Sequence, residues 1–552
     1  MKRRAIFFFA LYIFGCSLVL LRISTVSTME EYAAAVDRQS SWRLTVGESR
    51  GVLYDRNLTP LNRSTQPVAA VVSSPDSVAA LSGVLPLEER RAAASLLQQS
   101  KPFLFPLSQQ AAEALEQSGD LLLFERVAAS DPIAAHLVGY TNENGGVTGL
   151  EAAFDSYLQQ HSGRLSVVYR VNAYGEAFAG VEPQVDDENY LDPQGVVLTL
   201  DSAYQRMAEE AAESLEQGAI VLLNAETGAI LASASRPGYT VDTLADLLDS
   251  PDGPLLNRAL LAYPVGSAFK VLVAAAALES GFSPDTVFTC TGAVTVDGHV
   301  YHCHDREGHG DLDLPGALAE SCNAYFIQLG QALGGETLLR FAERFGFGQP
   351  CFLAEGLQGA AGTLPAADTL HGGALALFSF GQGELTATPL QVASMMAVVA
   401  NGGRAVSPYL VEGFTDEDGR FTAQQTAASD SPRLLGAQTD ALLRQYLTDA
   451  VGEGTGRRAR VSGLTVGGKT GSAQTGRYDE AGNERVEAWF AGYFTTPQGV
   501  YAAVVFAEDG GEGSLTAAPV FSALAGKIAA YDTRRWLDTL PPAGTGAREA
   551  VR

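Results

Sequence analysis

From Ala5 to Leu21 the chain runs uncharged and almost wholly apolar, with Lys2, Arg3 and Arg4 on one side and Arg22 on the other. At about 1.5 Å per residue this run reaches roughly 26 Å, and Ile23 with a snorkelling Arg22 extends it to the thickness of a bilayer core. Thr25-Val26-Ser27 is a poor match to the small-residue pattern of a cleavage site, so the segment reads as an uncleaved single-pass anchor. The basic tip keeps the N-terminus inside and places everything after Arg22 outside the membrane. Lipid attachment through Cys16 fits badly, because that cysteine lies within the apolar run. Residues 1–24 are thus read as a cytoplasmic tip and transmembrane anchor.

The remaining chain of a 552-residue protein is too long for one ordinary core, and 46% hydrophobic with 18% charged residues is the composition of folded domains. Acidic residues outnumber basic ones 63 to 37, a formal charge of -26, which disfavours non-specific nucleic-acid binding. Positive charge comes almost entirely from arginine. Lysine occurs only as Lys2, Lys101, Lys270, Lys469 and Lys527. A lysine retained in such a chain points to chemistry that needs a compact, deprotonatable amine.

Residues 25–190 are mixed and poorly periodic, with helical stretches at 87–99 and 109–117, and read as an extended pedestal. A globular domain over 191–536 begins with a buried strand at 195–201 and a helix at 203–216. A hairpin of strands follows at 219–224 and 229–235. Late strands at 464–471, 488–493 and 500–507 complete an α+β pattern around an antiparallel sheet. Residues 537–552, rich in glycine, proline and alanine, read as a disordered tail.

Three short motifs carry chemistry. In Pro264-Val265-Gly266-Ser267-Ala268-Phe269-Lys270, a buried helix is predicted to begin near Ser267, so the Ser267 hydroxyl and the Lys270 amine share one helical face. Serine needs a proton acceptor to become nucleophilic, and an amine among apolar side chains loses its charge readily enough to serve. Second, Ser321-Cys322-Asn323 precedes a helix over 324–333. It offers a hydroxyl and an amide, with Ser321 or Asn323 as a plain helix cap being the alternative. Third, Gly467-Gly468-Lys469-Thr470-Gly471-Ser472-Ala473 is a glycine-rich strand along which a peptide could add. Lys469, Thr470 and Ser472 there supply charge and hydroxyls for a carboxylate. Gly463 to Thr470 also fits the spacing of a phosphate-binding P-loop, but Gly471 and Gly476 interrupt the helix such a loop must enter.

Ser-x-x-Lys, Ser-x-Asn and Lys-Thr-Gly in this order are far more specific than any one alone, and together resemble the penicillin-recognising serine acyltransferases. Four further stretches narrow the resemblance: Arg50 to Asn57, Gly149-Leu150-Glu151, Gly381-Gln382-Gly383 with Thr388-Pro389-Leu390-Gln391, and Ala488 to Tyr493. From about Arg50 to Ala530 the chain resembles a class B penicillin-binding protein, a monofunctional peptidoglycan D,D-transpeptidase of the elongation, division or sporulation type. It departs from the strictest pattern at Leu58, where glycine is commoner, and no glycosyltransferase region is recognisable before the pedestal.

The resemblance implies a transpeptidase domain on an N-terminal dimerisation or pedestal domain, held at the bacterial cytoplasmic membrane. It assigns Ser267 as nucleophile, Lys270 as acylation base, Ser321 as proton relay and Asn323 as holder of the acyl-chain amide. Lys469, Thr470, Gly471 and Ser472 would bind the terminal carboxylate, with backbone N–H groups of Ser267 and Ser472 as oxyanion hole. Stem peptides and β-lactams would be the ligands, a polytopic membrane glycosyltransferase the partner, and no cofactor is needed for catalysis. A catalytically silent cell-wall scaffold and a β-lactam sensor are the competing readings.

Cys290, Cys303, Cys322 and Cys351 lie beyond the anchor, and His299, His302, His304 and His309 crowd one short stretch. Cys290, Cys303, His309 and Cys322 are separated by 12, 5 and 12 residues. Three thiolates and an imidazole make a closed tetrahedral Zn²⁺ site. A Cys290–Cys303 disulfide and free thiols are the alternatives that spacing leaves open.

Overall fold

The computed structural model describes residues 2–27, 40–98, 101–118, 121–129, 133–423 and 431–539. Its first helix, α1 (Lys2–Ser27), contains the 24-residue apolar span Arg3–Val26 with no side chain buried against protein. The helix continues through Ile23 and its neighbours and is long and apolar enough to cross a membrane, which fits the single-pass anchor. Most of the reading of a disordered tail over 537–552 falls outside the described residues. Residues 537–539 instead complete the last helix, whose turns are continuous from Ala517.

The chain divides into two compact units. The first comprises Met1–Gly51, Arg63–Ser130 and Gln159–Asp192. In it Ser41–Ser49 and Gln184–Glu188 flank Gly163–Arg170 in one antiparallel sheet. Phe103–Pro106 and Leu122–Ala129 flank Arg63–Val71 in another. The second unit comprises Val52–Asn62, Asp131–Leu158 and Pro193–Arg552. Two segments inside the stretch read as pedestal, Val52–Asn62 and Asp131–Leu158, therefore fold with the larger unit. Val52–Tyr54 pairs in parallel with Gly195–Leu198, a partner nearly 150 residues away that no local pattern reveals. Leu58 sits at φ 61°, in the left-handed region where glycine costs least. The Asp55 carboxylate holds this turn by accepting from the Asn57 and Thr59 N–H groups, each at 2.8 Å.

The larger unit is built on a five-stranded antiparallel sheet. Its strands are Gly218–Asn224 (β1), Ile230–Arg236 (β2), Val466–Tyr478 (β3), Glu484–Thr496 (β4) and Gly499–Ala507 (β5), in spatial order β2-β1-β5-β4-β3. Alternate residues of a strand point to opposite faces, and here both faces are covered. Ala219, Val221, Leu223, Trp489, Ala491, Val504 and Phe506 join one core, while Ile220, Leu222, Ala488, Phe490, Ala503 and Val505 join the other. Two-sided burial explains why these strands read as continuous apolar runs.

Helices Ser202–Ala212 (α2) and Ala517–Thr539 (α7) cover the second face. The first face carries Lys270–Glu279 (α3), Asn323–Leu333 (α4), Pro389–Ala400 (α5) and Ala437–Gly452 (α6). Helix α5 is buried along its whole length and starts with proline at N1 and a complete capping box between Thr388 and Gln391. The Gln391 amide also donates to the carbonyls of Gly346, Gln349 and Ala361. That explains a polar residue inside an otherwise apolar helix start.

Candidate active site

Ser267 lies not in the first turn of an α-helix, as the spacing predicts, but in a 3₁₀ turn over Gly266–Phe269, with α3 beginning at Lys270. The reason is tertiary. Gly266, at φ 61°, donates its N–H to the Gly381 carbonyl at 2.9 Å, which tightens the chain just before the serine. A 3₁₀ turn brings residues three apart onto one line, so Ser267 and Lys270 still share a side. Ser267 is half-buried and Lys270 fully buried. Trp489 steadies the approach by donating its indole N–H to the Pro264 carbonyl at 2.9 Å.

Burial pushes the Lys270 amine down to about 7, while the nearby Cys303 and Cys322 thiols act to raise it. Its Nζ donates to the Ser321 carbonyl at 2.6 Å and to Asn323 Oδ1 at 2.7 Å, with Ser321 Oγ at 3.3 Å. The count of hydrogens matters here. The three contacts match the three donors of an ammonium; in the neutral amine the two short ones use both remaining donors and leave a lone pair to accept a hydroxyl proton. The first two motifs thus meet at one nitrogen.

Ser321 occupies the left-handed region at φ 56°, a conformation costing a non-glycine residue about 1–2 kcal/mol. The cap of α4 is neither Ser321 nor Asn323 but Cys322, whose Sγ accepts the Tyr325 N–H at 3.4 Å. This leaves the Ser321 and Asn323 side chains for the amine.

The third motif occupies β3, with Val466 to Gly471 buried and Ser472 exposed. No helix follows, so the P-loop alternative is excluded. Gly471 lies so close to the serine turn that a Cβ there would stand 3.1 Å from the Val265 carbonyl and 3.2 Å from the Ala268 nitrogen. Burial, and then the neighbouring Lys270 charge, hold the Lys469 amine well below the usual lysine range. Its Nζ donates to the Thr470 carbonyl at 3.2 Å. Thr470 Oγ1 in turn donates to Thr455 Oγ1 at 3.0 Å. Ser472 Oγ accepts the Gly513 N–H at 3.1 Å.

Beside this centre the four candidate metal ligands converge. The ligand atoms of Cys290, Cys303, His309 and Cys322 all lie within 4.8 Å of one another. His309 Nδ1 stands 3.5 Å from Cys290 Sγ and 3.6 Å from Cys303 Sγ, and the Cys303 and Cys322 sulfurs are 3.9 Å apart. A tetrahedral Zn²⁺ with Zn–S near 2.3 Å and Zn–N near 2.0–2.1 Å requires S···S of about 3.8 Å and S···N of about 3.5 Å. All five cysteines are unpaired, so the Cys290–Cys303 disulfide is not formed. Hydrogen bonding from Cys322 holds the Cys303 thiol far below its ordinary range, and the same contact with burial holds Cys322 above it.

Comparison with known proteins accords with this arrangement. The family model for the penicillin binding protein transpeptidase domain matches residues 218–526, more than half of the chain. The chain belongs to that family. It is 33% identical over 357 residues to stage V sporulation protein D of Bacillus subtilis, covering 62% of this chain and 53% of that protein. It is 31% identical over 429 residues to the peptidoglycan D,D-transpeptidase PbpA of Mycolicibacterium smegmatis, covering 72% of this chain and 82% of PbpA. The chain therefore spans about half the length of the first relative and four-fifths of the second. Among solved structures, a chain from a peptidoglycan synthase complex aligns at TM-score 0.66 and 26% identity, covering 95% of this chain and 97% of that one. Penicillin binding protein 3 of Mycobacterium tuberculosis, complexed with aztreonam, aligns at 0.62 and 25%, covering 91% and 98%. The expected α+β penicillin-binding fold and class B family are what is found, and the chain is a serine-type acyltransferase of the D,D-transpeptidase kind.

Several supporting residues escape motif reading. Thr455 lies in a glycine-rich loop with no signal tying it to Thr470. Gly381 and Trp489 fall within stretches that carry the family resemblance, but only the structure gives them work, at Gly266 and Pro264.

Proposed function

We propose that this chain cross-links peptidoglycan stem peptides at the outer face of the membrane, with Ser267 as nucleophile and Lys270 as its base. The observation that carries the reading is the fully buried Lys270 amine held by the Ser321 carbonyl, Ser321 Oγ and Asn323 Oδ1. Ser267 Oγ attacks the penultimate D-Ala carbonyl as its proton passes to Lys270, and the oxyanion is met by the Ser267 and Ser472 backbone N–H groups. Ser321 relays the proton to the departing D-Ala amine. Asn323 holds the acyl-chain amide, while Lys469, Thr470 and Ser472 take the terminal carboxylate beside Gly471. An amine from a neighbouring stem then resolves the ester into a cross-link.

A β-lactam reproduces the acylation step and stays attached to Ser267. The test is intact mass after incubation with benzylpenicillin: one adduct is expected on the wild type and none on Ser267→Ala. An adduct on the variant overturns the assignment. A silent scaffold has no use for the two depressed lysines brought together here. The basic tip of α1 orients the anchor with its N-terminus inside. The resemblance supports a polytopic glycosyltransferase as membrane partner.

The sulfur cluster is proposed to hold a structural Zn²⁺. Between residues 281 and 310 the buried positions are Cys290, Gly292 and Cys303. A 30-residue excursion with so little apolar core needs another staple, and a closed Cys₃His site supplies one. Metal analysis of the purified protein with thiol titration is expected to give one zinc per chain. No zinc, with two fewer free thiols than cysteines outside the anchor, overturns it.

A further inference from the structure

The five-stranded sheet has two edges, β3 with the Lys469 motif and, on the far side, β2. The outer edge of β2 is closed one residue at a time, and the closure stops short. Ile230 donates its N–H to the Tyr409 carbonyl at 3.1 Å and accepts from Thr199 Oγ1 at 2.7 Å. The Leu231 carbonyl accepts the Asp201 N–H at 2.9 Å. At Ser233 a side-chain amide stands in for a neighbouring strand: Gln205 Oε1 accepts the Ser233 N–H at 2.7 Å and Gln205 Nε2 donates to the Ser233 carbonyl at 3.0 Å. Every second residue of an antiparallel edge strand turns both backbone groups outward, so Ser235 is the next position on this edge. Its N–H and carbonyl have no partner among the described residues, although Ser235 is only 7% exposed. Buried backbone groups are almost always paired in folded proteins.

Ser235 borders a cavity of about 310 Å³, lined wholly by residues of the larger unit. Its walls are fixed by their own contacts. His136 Nε2 donates to the Pro254 carbonyl at 2.7 Å, the Tyr239 hydroxyl donates to the Ala135 carbonyl at 2.9 Å, and the two rings meet edge to face with centroids 5.1 Å apart. Arg236 lines the same cavity, and its Nε is buried without a hydrogen-bond partner. Two carboxylates are also present. Glu209 Oε1 is already engaged by the Ala134 N–H at 2.7 Å and by Gln205 Nε2 at 2.9 Å, and Glu213 is exposed at the rim.

We propose that this cavity is a second peptide-binding site, which takes the carboxyl end of a short peptide with one amide paired to Ser235 and the terminal carboxylate on Arg236. A ligand amide there repeats at Ser235 the two bonds that the Gln205 amide makes at Ser233, a one-step strand addition. A carboxylate is the group that a guanidinium recognises best, through two parallel N–H···O bonds. The volume lies at the lower end of the roughly 300–1,000 Å³ range of ligand pockets, which limits the occupant to a peptide end. Four strand spacings, roughly 19 Å, separate β2 from β3, so the site is distinct from the Ser267 centre and does not depend on the chemistry there. One amide and one carboxylate are common to the D-configured end of a stem peptide and the L-configured end of a protein.

The experiment uses the full chain in detergent, photolabelled with N-(4-azidobenzoyl)-D-Ala-D-Ala and, separately, with its L-Ala-L-Ala counterpart. Labelled peptides are mapped by mass spectrometry. Label is expected on residues 133–136 or 233–240 from at least one probe, and the probe that labels identifies the source. Label near Ser267 reports the active site and is counted apart. The N-acetyl dipeptide should suppress the expected label, whereas the same dipeptide ending in a carboxamide should need at least about tenfold more. Arg236→Met, which keeps the length of the apolar stem and removes the guanidinium, should lower the label at least tenfold with the melting temperature as control for folding. Label in neither segment, suppression by the carboxamide as strong as by the carboxylate, or undiminished label in folded Arg236→Met would each overturn the proposal. The carboxamide comparison is read on the unaltered chain, so it decides the matter even where the variant fails to fold.

Discussion

Two regions flank the Lys270 amine, and they are held in place by different forces. Helix α3 and strand β3 are gripped by apolar side chains: residues 270–277 and 466–471 are buried without a break. The segment 281–310, which leads through Leu314–Ala319 to the Ser321–Asn323 turn, is a pair of small hairpins with its buried side chains reduced to two cysteines. Burial creates the depressed amine, and the sulfur cluster aims the groups that receive it. One centre therefore has an apolar half that sets protonation and a sulfur-cluster half that sets geometry, and perturbations should separate them.

The largest separation is expected from Lys270→Met, which keeps the apolar half filled but removes the base. Acylation by a chromogenic β-lactam should fall by at least about 10³-fold, in the range of a general base, while zinc content is unchanged. Asn323→Ala attacks the other half and should cost about 10²-fold. Next comes pH. Only the neutral amine can take the serine proton, and Lys270 is pushed down to about 7. The acylation rate should thus drop about tenfold for each pH unit below about 7 and level off above it. A flat profile from pH 5 to 8 would break the link between burial and reactivity. Chelation of the proposed zinc should act on the sulfur-cluster half alone. Hydrogen exchange is expected to quicken across residues 288–322 but not in β3 or α3, with labelling slowed about tenfold.

The same division explains what could be read before the fold was seen. Strands β1, β4 and β5 declare themselves because sheet faces covered on both sides leave no polar alternation to confuse the pattern. Helix α3 declares itself through eight successive buried positions, and the three motifs through their order. The four cluster residues were legible as spacing, although spacing alone left a Cys290–Cys303 disulfide and free thiols open. What stayed hidden depends on distant partners. The 3₁₀ turn at Ser267 needs the Gly381 carbonyl more than a hundred residues away, and Val52–Tyr54 leaves the pedestal stretch only because Gly195–Leu198 pairs with it. The helix cap at Cys322 was masked by two better-known capping residues on either side of it.

The smallest predicted effect tests whether the apolar half also needs fine polar support. The Thr455 side chain accepts the 3.0 Å hydrogen bond from Thr470 Oγ1, while its backbone N–H donates to the Ala319 carbonyl at 3.0 Å. Thr455→Val keeps the volume and removes the acceptor, leaving the Thr470 hydroxyl free to turn away from a bound carboxylate. A neutral hydrogen bond of this kind is worth about 1 kcal/mol, or roughly fivefold in binding. Because Thr470 is assigned to carboxylate binding and not to proton transfer, the loss should appear in the β-lactam concentration giving half-maximal acylation, with the limiting rate little changed. A fall in the limiting rate instead would place Thr455 with the proton-handling groups around Lys270, and the boundary drawn between protonation and positioning would have to move into β3.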